Sequence, residues 1–276
     1  QQMFLVSDEY AANLHQKGLL LNPNAFHFSS SGDSSFLISF APIWLFAPFL
    51  ESLLKNQPEK LKDVKGIIAC SSSSIITKRF ATNNFDKNLV MRLEEAEKNI
   101  LSTCEHLQIP CKILRPTLIY GQAGKYKDKN LSKIVRLMRC CLFLPIPSKT
   151  GLRQPIHSTQ LAEVALTLIG QSNQSSKDLS YQQLINLGGD QEISYHDMLL
   201  LLQKALPITD KAKKCYFIPI PNRIFLFLAS PLLLLSPKMF AAVERISSNL
   251  SGFTPSNKVL GIKPREFPLT PLGHLD

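Results

Sequence analysis

Short apolar runs alternate with longer stretches of helical period along this chain, and the alternation predicts an α/β fold. Strands are predicted at Met3–Val6, Ala25–Phe28, Phe36–Phe40, Gly66–Cys70, Lys112–Arg115 and Leu184–Leu187. The clearest helix covers Asp86–Leu107. Leu89, Leu93, Ala96, Ile100, Cys104 and Leu107 recur there at steps of three and four, which gathers them into one apolar stripe. Asp86 is the predicted N-cap. Gln108-Ile109-Pro110 ends the helix, because proline cannot continue it. A second helix is predicted over Pro42–Lys55. Strand–helix–strand order implies a doubly wound parallel sheet with helices on both faces.

The pattern changes near Tyr181. LINLGG leads into a helix that starts at Ser194, where Ser194 and Asp197 resemble a capping box with a shortened acid. A proline-rich apolar region follows at 215–240. The predicted division is therefore 1–180, a nucleotide-binding domain, and 181–276, mostly a small helix-rich substrate lobe interleaved with the sheet. The most apolar stretch, Ile224 to Pro237, has fourteen residues and two prolines. Spanning a bilayer takes roughly 20 residues, so a buried or interfacial helix pair is predicted instead. Peripheral membrane contact is a second reading, because Arg223 and Lys238 flank the stretch and suit an anionic surface.

Composition supports a packed core: 45% of the 276 residues are hydrophobic and 19% charged. The net charge of +10 is unevenly placed. Residues 1–60 carry 3 Lys/Arg and 5 Asp/Glu, whereas 111–153 carry 10 Lys/Arg against Asp128 alone, a local +9. Such a segment suits a nucleic acid, an acidic surface or an anionic small ligand. No RNP-type aromatic motif or helix-turn-helix signal accompanies it, which argues against nucleic acid. The six cysteines form no C-x-x-C pair and no zinc spacing, so no metal is expected. Several lie in apolar runs as core thiols. Together with a first segment that lacks the basic start and long apolar centre of a signal peptide, they suggest a reduced, cytoplasmic protein.

Four segments occur in an order that resembles the NAD-dependent epimerase/dehydratase family of extended short-chain dehydrogenases/reductases. Gly66–Cys70 runs into Ser71–Ser74, similar to the family's serine-rich strand end. Leu114-Arg115-Pro116-Thr117-Leu118-Ile119-Tyr120-Gly121 resembles its R-P-x-x-x-Y-G segment. Arg153-Gln154-Pro155-Ile156-His157 followed by Leu161-Ala162 resembles its R-x-x-x-H-x-x-D-x-A element, with Gln160 at the aspartate. Leu260-Gly261-Ile262-Lys263-Pro264 is similar to its L-G-x-x-P close. The matches span roughly residues 36–267.

The resemblance implies a dinucleotide, NAD or NADP, bound across the carboxyl edge of the sheet. It implies hydride chemistry on an anionic substrate, often a nucleotide-diphosphate sugar, in a protein that commonly pairs as a homodimer. Carried over residue by residue, Ser73 is the catalytic hydroxyl. Asp8, Ala41, Pro42, Ser72 and Pro116 would contact the cofactor. Thr117, Asn130 and Arg153 would contact the substrate, Arg153 through a bidentate grip on phosphate. His157 matches a histidine that is mostly structural, and Tyr120 a tyrosine with a structural place.

Two departures stand out. The G-x-x-G-x-x-G fingerprint is absent, and the one similar spacing, Gly121-x-x-Gly124, lies far downstream. The chain is thus expected to start near the family's second strand, without the first strand, its glycine turn and first helix. On the long helix, the positions of the family's Tyr-x-x-x-Lys pair fall at Leu89 and Leu93. Lys78, close to Ser73, is the candidate replacement for the lysine. The competing reading is a Rossmann-like protein that binds a ligand or partner without catalysis.

Overall fold

The computed structural model describes residues 3–7, 35–121, 128, 130–174 and 182–269. The chain packs as two units. The first comprises 1–79, 87–116 and 163–186, and the second 80–86, 117–162 and 187–276. The division is discontinuous, with 117–162 in the second unit and 163–186 back in the first.

In the first unit, β2 (Ser35–Ser39), β3 (Val64–Cys70), β4 (Cys111–Pro116) and β9 (Gln182–Gly188) are neighbouring strands of one sheet. Pairing is parallel from β2 to β3 and from β3 to β4. With β12 (Thr254–Pro255), which pairs in parallel with Leu187 and Gly188, the parallel part of the sheet has five strands. The expected α/β Rossmann-like architecture is therefore present.

One strand departs from it. β1 (Met3–Ser7) lies beside β2 but runs antiparallel, with Met3 opposite Ser39 and Ser7 opposite Ser35. A second Rossmann strand would run parallel and end at the carboxyl edge of the sheet. Here Ser7 reaches the amino end of β2 instead. Asp8 itself, like the predicted strand Ala25–Phe28, lies outside the described residues.

Side-chain alternation along the strands builds a layer on each face. Leu37, Ile67, Ala69, Cys111 and Ile113 form one core with α1 (Ile43–Asn56) and α3 (Asn84–His106). Helix α1 contributes Ile43, Phe46, Ala47, Leu50 and Leu53, and α3 contributes Leu93, Ala96, Ile100 and Cys104. Lys112, between Cys111 and Ile113, projects from the opposite face. Its Nζ donates to the Leu168 carbonyl of α5 (Ser158–Gln174), 3.2 Å away. The sheet is thus covered on both sides, as the strand–helix alternation required.

Helix α3 begins two residues earlier than predicted. Its N-cap interaction comes from Asn83, whose Oδ1 accepts from the Asp86 amide at 2.8 Å. Asp86 sits in the first turn and pairs with Arg245 at 2.7 Å. At the other end Gln108 adopts φ 55, a left-handed turn that releases the chain toward β4.

In the second unit, α4 (Asn130–Cys140) and α6 (Tyr195–Ala205) share a core around Leu131, Val135, Met138, Met198 and Leu202. A two-stranded parallel ladder joins β6 (Phe143–Pro147) to β11 (Tyr216–Ile220). The apolar 224–237 stretch is divided between α7 (Asn222–Ala229) and α8 (Pro231–Leu235), followed by α9 (Pro237–Glu244). Pro231 and Pro237 each occupy a helix start, where a missing N–H costs nothing. Among the described residues no helix is long and apolar enough to cross a membrane.

Candidate functional site

The carboxyl edge of β2, β3 and β4 gathers the predicted catalytic and cofactor residues that are described, except Lys78, which lies one turn further on. In open α/β sheets ligands bind in the crevice outside this edge. The edge is built by backbone bonds that carry the β3–β4 ladder past its last pair. The Ser71 amide donates to the Leu114 carbonyl at 2.7 Å and the Ser73 amide to the Pro116 carbonyl at 3.0 Å.

The serines that follow β3 divide the work. Ser72 Oγ accepts from the Ser74 amide at 3.1 Å and lies 3.0 Å from Ser74 Oγ, a local turn that holds its hydroxyl. Ser73 caps the single-turn helix α2 (Ser74–Thr77) through its backbone, with its carbonyl accepting from Ile76 and Thr77 at 2.9 Å each. Its side chain makes no capping bond, although the residue is only 8% exposed. The cap of this turn is thus made by the Ser73 backbone and not by its hydroxyl.

Lys78 closes the same turn at its other end, its amide donating to the Ser74 carbonyl at 3.0 Å. Ser73 and Lys78 thus occupy opposite ends of one helical turn. Ala41 is buried and Pro42 exposed, and Pro42 starts α1 with no side-chain cap.

Further polar groups at this edge had no signal in the sequence motifs. Ser39, the last residue of β2, is 1% exposed, and its Oγ has no hydrogen-bond partner. Ser71 Oγ, directly after β3, and Asn186 Oδ1, near the end of β9, are likewise buried without partners. Native interiors rarely leave such atoms unpaired, so the edge presents hydrogen-bonding capacity that a ligand or water can satisfy. A small polar residue closing an otherwise apolar strand, as in SFLIS, is the cue that could have marked Ser39.

Titration at this edge is limited. Burial pushes the Cys70 thiol up to about 12, so it is protonated at neutral pH and is no nucleophile. The two positions aligned with a tyrosine–lysine pair are core: Leu93 is 2% exposed and Leu89 packs against the same cluster. The arrangement can orient and polarise a carbonyl or hydroxyl, while the proton acceptor of the resembled family is absent from α3.

Ala41, Ser39, Ser71–Ser73 and Pro116 would suit the ring end of a nicotinamide dinucleotide, with small walls and, at Ser39 and Ser71, hydroxyls without a partner. The pyrophosphate is a different matter. No glycine stands at the carboxyl ends of β2, β3 or β4, and the strand beside β2 runs the wrong way to lead into a phosphate-holding turn. The described residues therefore hold no glycine turn at these strand ends of the kind that receives a diphosphate. Among them, too, no group of three His, Cys, Asp or Glu could hold a metal ion.

The second unit holds the three substrate candidates, and two of them are committed to structure. Thr117 donates its hydroxyl to the Gln154 carbonyl, and its amide bonds the Leu187 carbonyl at 2.9 Å. Arg153 is 7% exposed rather than presented as a free fork. Its Nη1 donates to the Leu152 and Ser248 carbonyls at 2.8 and 2.7 Å, and Nη2 to the Arg245 carbonyl. Tyr195 lies under the guanidinium, 5.2 Å from its carbon. Burial lowers the Arg153 pKa. Asn130 is exposed at the first turn of α4, whose amides are capped by Asp128 at 2.7 and 2.9 Å.

The motif around His157 is structural here. His157 Nδ1 lies 2.7 Å from Thr159 Oγ1, and its amide donates to Gln160 Oε1 at 2.8 Å. Gln160, at the resembled aspartate position, thus caps α5 from its third residue, which an amide oxygen does as well as a carboxylate. Tyr120 is 2% exposed, and its hydroxyl accepts from the Leu269 amide at 2.9 Å. Burial pushes this phenol up to about 12, which removes it as a base.

No protein-family pattern and no curated protein matches the chain. Solved structures do match, at low identity. RMD from Pseudomonas aeruginosa, complexed with NADPH, is 11% identical with a TM-score of 0.54, covering 93% of this chain and 89% of that one. The UDP-glucuronic acid 4-epimerase of Bacillus cereus, in complex with NAD, is 14% identical with a TM-score of 0.46, covering 80% of this chain. This chain spans 61% of that epimerase. The triphenylmethane reductase of Citrobacter sp., complexed with NADP(H), is 14% identical with a TM-score of 0.47, covering 83% and 72%. The likeness to RMD shows the fold: a Rossmann-like α/β sheet of the kind found in an NADPH-binding protein.

Proposed function

We propose that this protein is an epimerase/reductase-type oxidoreductase working with NAD or NADP on an anionic substrate of the nucleotide-diphosphate-sugar kind. Ser73 is the residue that polarises the reacting hydroxyl or carbonyl. The observation that carries the reading is the pair of buried, partnerless hydroxyls at this edge, Ser39 and Ser71, with Ser73 two residues beyond Ser71 at the start of α2. Lys78 is the candidate cation for the same step, and Asn130 the substrate candidate whose side chain is exposed.

The second reading is a ligand-binding Rossmann-like protein without proton transfer. It is favoured by Leu89 and Leu93, which fill the core where the resembled pair would act.

Titration with NADH and NADPH, read by cofactor fluorescence, separates the cases from above. Saturable binding together with turnover of a UDP-sugar supports the enzyme, and binding without turnover supports the second reading. No binding at millimolar cofactor removes NAD(P) from the proposal. Given turnover, Ser73→Ala is expected to lower it by about 100-fold, the low end for a positioned proton-handling group. Unaltered turnover would exclude Ser73.

A further inference from the structure

Of the two placements the sequence left open for the apolar stretch, buried or interfacial, the exposure of its side chains fits the interfacial one. On α7, Ile224, Phe227 and Leu228 share one helical face at spacings of three and four, and they are 51%, 76% and 62% exposed. Phe225, one residue round the helix, is the buried anchor. Leu233 and Leu234 of α8 and Met239 of α9 extend the exposed surface, Leu234 to 91%.

Charge along this stretch of chain, up to Glu244 at the end of α9, has one sign. Between Asp210 and Glu244 the chain contains Lys211, Lys213, Lys214, Arg223 and Lys238 and no acidic residue. Lys238 Nζ lies 3.9 Å over the half-exposed Phe85 ring, so cation and apolar surface are interleaved. Phe227 and Leu234 are the most exposed of these apolar side chains. An exposed large apolar side chain suits a medium that closes around it, and surrounding ammonium and guanidinium groups suit anionic headgroups.

We propose that the α7–α9 face docks this protein on an anionic membrane surface, with Phe227 and Leu234 entering the headgroup–acyl boundary and the flanking cations lying among the headgroups. The contact is peripheral, because no described helix can span the bilayer.

Co-sedimentation of the full chain tests it, using vesicles of phosphatidylcholine alone and of phosphatidylcholine mixed with an equal amount of phosphatidylglycerol. The expected partition coefficient is about tenfold or more higher for the mixed vesicles and falls as salt is raised. F227E/L234E is expected to abolish binding at unchanged thermal stability, because both positions are exposed. L234E, at the more exposed site, carries the test alone should the double variant lose its native circular dichroism. K211E/K214E is expected to remove most of the salt-sensitive part.

Equal partition into both vesicles, or binding unaffected by F227E/L234E, would overturn the proposal. So would a dimer in solution that F227E/L234E dissociates while vesicles fail to retain the protein, because a second copy would then cover the face.

Discussion

Asp86 Oδ2 and Arg245 Nη1 lie 2.7 Å apart, although 159 residues separate them in the chain. The Asp86 side chain is 1% exposed and that of Arg245 24%. Asp86 was read from sequence as a helix cap. It instead anchors the start of α3 to the 245–248 turn, the same turn whose carbonyls hold Arg153.

Arg245→Met should therefore leave a buried carboxylate short of its cation. The expected loss is about 2 kcal/mol, below the ~3–5 kcal/mol of a fully buried pair, because Arg245 keeps some solvent and Asn83 still donates to Asp86. Urea denaturation measures it. An unchanged midpoint would mean that the pair contributes nothing to stability.

Leu93 tests whether a tyrosine–lysine pair could simply be restored. Leu93→Ala should cost about 2–4 kcal/mol, because the side chain is 2% exposed in the α1–α3 core. Leu93→Lys should prevent folding under the same conditions, since a lone ammonium there has no partner. A stable, soluble Leu93→Lys protein would show that this face of α3 is open to the crevice after all.

Gly121 has φ 100, and a Cβ on it would stand 2.2 Å from His157 Nε2. Gly121→Ala combines left-handed strain with that clash and should cost about 2–4 kcal/mol. Part of the loss should be recovered when His157→Ala is added, since that substitution removes the colliding ring. Strict additivity of the two changes in thermal unfolding would refute the clash as the cause.

Arg139 lies 2.7 Å from Asp210 and holds its carboxyl below the ordinary 3.8. A depressed carboxylate pKa stabilises the fold above its unfolded value and loses that contribution as pH falls through the folded value. Arg139→Met should thus lower stability by about 1 kcal/mol at neutral pH. The gap from the parent should close below about pH 4. A gap that stays constant down to pH 2 would assign the loss to packing rather than charge.

Much of the fold was legible in the chain. Apolar period and turn residues placed β2, β3, β4, β9, α1 and α3 to within a few residues, because these signals act over one or two turns. The leucines at 89 and 93 could be read as core from their period, and both pack in it. Tertiary structure decided what the charges do. The +9 of residues 111–153 looked like one ligand patch. Lys112, however, bonds the Leu168 carbonyl, Arg115 pairs with Glu97, Arg139 with Asp210, and Arg153 holds three carbonyls. These partners stand 56, 18 and 71 residues away, and up to 95 for Arg153. No local pattern carries such pairings, because a cation seeks whichever acceptor folding brings near. The same holds for β1, whose sequence specifies a strand but not its direction, and for Ser39, whose hydroxyl is buried without a partner by the packing around it.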